Sequence, residues 1–197
     1  MTGLFALLLF LFPLAYSPGP GNLYFAALGA RSGTCTSVPA SVGYHLATFV
    51  VTFGVGMGFL GLLTRWQGVL TAMTWAGSAY MAWLAWAFLR AKPLTGEAKA
   101  QQARVTDGAV LLILNPKAYV IIALMFSQFL APDDPAFFGR LLFMTTAFTL
   151  NNLIAFTVWT VLGEGLGRLF RTPNAAHALN AGFGLMLAGT EVWMVLR

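Results

Sequence analysis

The sequence predicts an all-α integral membrane protein of six transmembrane helices, built as two inverted three-helix repeats with helices 1 and 4 broken at proline motifs. Three observations carry this. Only 9% of the residues are charged and 58% are hydrophobic, whereas a soluble globular domain carries about 25% charged residues. The apolar residues form runs free of Asp, Glu, Lys and Arg at 1–30, 32–64, 66–89, 108–132, 141–163 and 172–190, interrupted only by Lys117. Two of these runs hold motifs that an unbroken helix does not tolerate, Ser17-Pro18-Gly19-Pro20-Gly21-Asn22 and Asn115-Pro116-Lys117.

A helix crosses the roughly 30 Å hydrocarbon core in about 20 residues, so six crossings fit and almost no chain remains for a soluble domain. The first run is too long for one straight crossing unless it tilts or breaks, and the Ser17–Asn22 motif supplies the break. The first sixteen residues have no basic n-region, and the apolar run continues well past signal-peptide length, so they read as an uncleaved first span. In the second span, Gly54, Gly58 and Gly61 share one face, as do Gly182 and Gly189 in the sixth. Such faces let helices approach closely, within a protomer or in a homodimer. The stretch from Gly56 to Gly61 formally fits G-x-G-x-x-G, but it follows no strand and lies in an apolar helix, so nucleotide binding is dismissed. Residues 91–107 are the only hydrophilic stretch of any length and read as a linker between repeats 1–90 and 108–197.

The loop charges predict orientation. Arg31, Arg90, Lys92, Lys99, Arg104, Arg168 and Arg171 follow odd-numbered spans; Arg65, Arg140 and Arg197 lie on the other side. Seven against three places the odd loops in the cytoplasm and both termini outside a bacterial inner membrane. The same distribution explains the net charge of +5 without nucleic acid. The halves also match weakly: Ser17-Pro18 with Asn115-Pro116, and Ala76-Gly77 before Met81 with Ala181-Gly182 before Met186. Three spans per half is an odd number, so the halves must face opposite ways, and paired broken helices point to a binding site at the midplane.

Lys117 is the sharpest residue in the chain. An ammonium at that depth costs roughly 2.5–3.5 kcal/mol even on lenient scales, so its default reading is functional; snorkelling or pairing with freed carbonyls is the plainer account. The helix restarting after Pro116 and the Lys117 charge both favour an anion such as a substrate carboxylate. The first motif is expected to expose carbonyls before Pro18 and N–H groups after it, with glycines allowing close approach. The candidate substrate-binding set is therefore Ser17, Pro18, Gly19, Pro20, Gly21, Asn22, Asn115, Pro116, Lys117 and Asn151. Asn151 and Asn152 lie centrally in span five, where carboxamides either join helices or meet substrate. His45 is the candidate proton carrier, the one group in span two titrating near neutrality; a hydrogen-bonded structural histidine is the alternative. Trp66, Trp75, Trp83, Trp86, Trp159 and Trp193 read first as interfacial anchors and core.

With this order of motifs the chain resembles the lysine-exporter (LysE/RhtB-type) family of amino-acid exporters. The matches are Pro18-Gly19-Pro20 with Asn22, Gly29-Ala30-Arg31-Ser32-Gly33, Gly77-Ser78-Ala79-Tyr80, Asn115-Pro116-Lys117 and Gln128-Phe129. The resemblance implies export of amino acids or related small metabolites from the cytoplasm, coupled to a proton or ion gradient. Some relatives exporting basic amino acids carry an acidic residue in the second span; here Gly43-Tyr44-His45-Leu46 stands in that region, which favours a neutral substrate.

Other classes fit less well. A membrane enzyme or thiol–disulfide carrier needs clustered intramembrane His, Asp, Glu or Cys, and Cys35 is the single cysteine. An ion or metal exporter needs oxygen or sulfur ligands at depth. No cofactor or metal is expected; the partners are a small-molecule substrate and membrane lipid, with a homodimer as a further candidate.

Overall fold

Each proline motif ends one helix and starts another. The computed structural model describes residues 2–59, 103–131 and 135–169, with positions 75, 79, 82, 83, 86, 175, 178, 181–186 and 189. Most of spans three and six, of the motif at 77–80 and of the linker at 91–107 lie outside the described residues. Those described form helices α1 (Thr2–Tyr16), α2 (Pro20–Ser32), α3 (Thr34–Gly54), α4 (Val105–Ile113), α5 (Pro116–Phe129) and α6 (Phe137–Leu169), with a π-helical turn, Val55–Phe59, closing α3.

Residues Thr34–Gly58 and Phe137–Leu169 are each long and apolar enough to cross a membrane. The other two spans are bent pairs: Leu4–Tyr16 meets Pro20–Ser32 at 62°, and Val105–Ile113 meets Pro116–Phe129 at 63°. The chain is thus helical with two to four candidate crossings among the described residues. The bends follow from proline chemistry: Pro20 and Pro116 open their helices where no N–H is needed, and each disfavours helical backbone at the residue before it.

Several element ends differ from the charge-based boundaries. α4 begins at Val105, inside the expected linker, because Asp107 joins its first turn and its carboxylate accepts the Arg104 N–H at 2.8 Å. α5 begins at Pro116 itself. α6 runs 33 residues, about 50 Å at 1.5 Å per residue, longer than the hydrocarbon core. Its far end is tied to the start of α3: Glu164 accepts from both Thr34 N–H (2.9 Å) and the Thr34 hydroxyl, and Arg168 lies 2.5 Å from the same carboxylate. A carboxylate at a helix N-terminus complements its unpaired N–H groups. The one-residue turn there needs Gly33, whose φ is +82°.

Backbone-on-backbone packing fixes two helix pairs. A Cβ on Gly29 would strike the Thr160 carbonyl, one on Gly163 the Ala26 carbonyl, and one on Gly167 the Ala30 carbonyl, so α2 and α6 lie in direct main-chain contact. α3 and α4 meet likewise where Gly43 faces the Val105 carbonyl and Gly108 the Ala40 carbonyl. These are small-residue seams of the membrane type. They are not the predicted ones: at Gly54 and Gly58 a Cβ would meet no described atom, and Gly58 has left the helix with φ +92° and ψ 4°.

Two apolar clusters flank the breaks. One gathers α1, α5 and the first half of α6 around Leu7, Leu11, Ile122, Met125 and Phe148. The other gathers α2, α3, α4 and the second half of α6 around Leu23, Phe25, Tyr44, Leu112 and Phe156. Val42, Leu46, Val50, Ile154 and Val161 are exposed along α3 and α6, the pattern of helices that turn apolar side chains outward to lipid.

Candidate functional site

The two breaks meet. Lys117, in the first turn of α5, reaches across to the first break, where its Nζ donates to the Ser17 carbonyl and to Ser17 Oγ, each at 2.9 Å, and lies 3.4 Å from the Pro18 carbonyl. Gly19 makes room for the lysine: a Cβ there would stand 2.9 Å from both Lys117 Cδ and Nζ. The ammonium thus sits at the negative end of α1, among carbonyls that the ended helix leaves over.

Each of those carbonyls has a partner, contrary to the expectation that they stand exposed. Pro13 O accepts from Ser17 N at 3.2 Å and Leu14 O from Ser17 Oγ at 3.1 Å. Ala15 O takes Asn22 Nδ2 at 2.9 Å, Tyr16 O takes Trp159 Nε1 at 3.2 Å, and Gly19 O takes Leu23 N at 2.9 Å. Asn22 therefore spends its amide nitrogen bridging the break. Trp159, read from sequence as an anchor or core residue, caps the same helix end. Replacing Asn22 by Leu is expected to orphan the Ala15 carbonyl and destabilise the protein by about 1–3 kcal/mol, the usual cost of a buried unpaired polar group; thermal unfolding in detergent reads it directly.

The donors behave differently. Gly21 and Asn22 occupy the first turn of α2, whose N–H groups have no partner within the helix, and no hydrogen bond from either N–H is formed among the described residues. These groups and the Lys117 ammonium make the junction electropositive and suited to an anion.

Tyr44 ties the second break to the first, a residue that sequence reasoning passed over as merely not acidic. Its hydroxyl accepts from Asn115 Nδ2 at 3.2 Å and would lie 3.3 Å from a Cβ on Gly21. The ring is fixed by Phe25 and Phe156, with centroids 5.9 and 4.6 Å away. Asn115 opens α5 from an extended conformation, and its Oδ1 is buried with no hydrogen-bond partner among the described residues. The only sequence signal for Tyr44 was a lone phenol at mid-span, which by itself reads as core.

The remaining candidates are placed apart. His45 Nδ1 lies 2.7 Å from the Ser41 carbonyl, so that nitrogen carries the proton and donates. The imidazole packs edge-on against Tyr44 and Phe156 and lines a separate groove of about 510 Å³ between α3 and α6, with Ser41, Leu46, Phe49 and Leu153. Asn151 is buried on α6 with Nδ2 unpaired among the described residues, and no hydrogen bond joins it to the Lys117 junction. Gln128 is exposed. Among the described residues no three His, Cys, Asp or Glu side chains could hold a metal ion together.

Trp159 and Phe156, which touch the first break, lie in the second half of the 33-residue α6, and Tyr44 lies near the middle of α3. The two bent helix pairs meet at one lysine. The family model "LysE type translocator" matches residues 12–196. The chain belongs to the LysE-type translocators. This translocator is 32% identical over 180 residues to an uncharacterized membrane protein of Vibrio cholerae, covering 88% of this chain and 86% of the relative. It is 30% identical over 194 residues to a homoserine/homoserine lactone efflux protein of Salmonella typhimurium, covering 94% and 93%. A cysteine/O-acetylserine efflux protein of Klebsiella pneumoniae is 26% identical over 163 residues, 79% of each chain. No solved structure matches this chain. It is a membrane transporter of a family with amino-acid efflux members, not a member of an enzyme family.

Proposed function

We propose that this translocator exports small neutral amino acids and close derivatives across the bacterial inner membrane by alternating access, driven by an ion gradient. The observation that carries the reading is the meeting of two proline-broken helix pairs at Lys117. A substrate carboxylate binds at the unpaired N–H groups of Gly21 and Asn22 and takes over part of the Lys117 ammonium, the 3.4 Å contact with Pro18 O being the longest to give up. Ser17, Pro18, Gly19 and Pro20 shape the first wall; Asn115, Pro116 and Asn151 belong to the second half. His45 is the candidate proton carrier, close enough to Tyr44 for its charge to be felt at the site.

The compounds in the names of the relatives are small α-amino compounds without a charged side chain, and the second span of this chain offers no carboxylate to a basic one. Near-equal bends of 62° and 63° support six spans in two inverted repeats, 1–90 and 108–197, joined by 91–107. Arg31 and Arg168 stand at one end of the bundle, through the Gly167–Ala30 and Glu164–Thr34 contacts, which supports a shared cytoplasmic face and termini outside. Close approach of glycine faces is compatible with a homodimer.

The test is counterflow of labelled amino acids in proteoliposomes holding the full chain. Uptake of neutral amino acids above protein-free vesicles is the expected result; no movement of any of them would remove the reading. For orientation, a periplasm-active reporter fused after Arg197 should be active, and its silence would reverse the topology.

A further inference from the structure

We propose that Asn115 Oδ1 is the acceptor for the substrate's ammonium group, so that the site reads both ends of a zwitterion. The proposal deepens the export reading and rests on it. Asn115 is 4% exposed. Its Nδ2 is committed to Tyr44, and Tyr44 cannot turn away because Phe25 and Phe156 hold its ring on two sides. With one end of the planar amide fixed, Oδ1 points in a set direction, buried and unpaired among the described residues. A buried acceptor without a donor destabilises the protein that carries it, and native structures keep few of them. A ligand N–H that arrives and leaves with transport explains why this one is kept.

The chemistry fits an ammonium in particular. The amide oxygen is a strong neutral acceptor, so it leaves no uncompensated charge in the membrane when the site is empty, as a carboxylate would. The acceptor also borders the anion subsite. Tyr44 Oη, bonded to Asn115, lies beside Gly21, whose N–H belongs to the first turn of α2. An α-amino acid carries its two charged groups on one carbon, so a single small ligand reaches Asn115 on one side and α2 with Lys117 on the other.

Three ligands separate the two ends: L-homoserine has both groups, homoserine lactone has the ammonium without a free carboxylate, and 2,4-dihydroxybutanoate has the carboxylate without the ammonium. Their affinities for the purified full-length protein in nanodiscs are measured by calorimetry. Asn115→Leu is expected to weaken homoserine and the lactone at least tenfold, while 2,4-dihydroxybutanoate changes less than threefold. Lys117→Gln should give the opposite pattern, weakening the two carboxylates most. Equal losses for all three ligands in Asn115→Leu, or none, overturn the proposal. Should Asn115→Leu fail to fold, Asn115→Asp decides: it keeps the acceptor and adds charge, so amine-bearing ligands should hold or tighten while 2,4-dihydroxybutanoate weakens, and a uniform change overturns the idea. Wild-type protein that binds none of the three removes the export reading as well; wild type that binds them with a uniform Asn115→Leu effect removes only this inference.

Discussion

Lys117→Gln is expected to cut neutral amino-acid counterflow by about ten- to a hundredfold, since a hydrogen bond to a charged group contributes about 1.5–3 kcal/mol, and to leave the protein folded. The choice of glutamine separates two roles of the lysine. Its ammonium holds the Ser17 and Pro18 carbonyls, and its charge is offered to the substrate. The glutamine amide can still donate to a carbonyl, so the α1 end stays capped while the charge is gone. Lys117→Ala removes both, and should lose transport together with melting temperature as the Ser17 carbonyl goes unpaired. Lys117→Arg keeps the charge but replaces a compact ammonium packed against Gly19 by a larger planar fork, so partial activity is expected. Wild-type rates in Lys117→Gln, measured in proteoliposomes with matched protein content, would detach the lysine from transport while leaving the family membership untouched.

Gly163→Val carries the largest expected effect on stability. The added side chain meets the Ala26 carbonyl, and neither partner is a flexible side chain that could swing aside, so α2 and α6 must separate. Overpacking costs about 1–3 kcal/mol and occasionally more; a main-chain collision along a seam shared with Gly29 and Gly167 belongs at the upper end. The variant should lose its monodisperse peak in size-exclusion chromatography or melt well below wild type. Gly165→Ala is the matched control, because Gly165 is exposed on the same helix and a Cβ there meets no described atom. Equal behaviour of the two variants would show that the seam contributes little.

That seam also bears on how the protein moves. α2 belongs to the first half of the chain and α6 to the second, and the same is true of α3 and α4. Among the described residues, each sequence half therefore makes its main-chain seams with the other half. Rocking of residues 1–90 as one body against 108–197 would break both main-chain seams. Bending at the breaks, Ser17–Gly19 and Leu114–Asn115, keeps them. Alternating access through hinged half-helices is the movement these contacts favour.

Much of this was legible in the sequence. Charge-free runs mark helices that face lipid, because a buried charge is costly there and its absence is visible in one dimension. The breaks were legible because proline acts on its own backbone and that of its neighbour, and Lys117 stood out because it interrupts an apolar run. Tertiary structure alone decided which groups meet. Nothing in the order of residues says that Ser17 and Lys117, a hundred positions apart, lie 2.9 Å from one another, or that Trp159 and Asn22 close the Tyr16 and Ala15 carbonyls left over at the end of α1. The choice of Gly29, Gly43, Gly108, Gly163 and Gly167 over Gly54 and Gly58 was hidden for the same reason. A glycine in an apolar helix shows that close approach is allowed, while whether a second backbone comes there depends on crossing angles set by the whole bundle. Tyr44 passed unnoticed because its role lies in what its hydroxyl reaches.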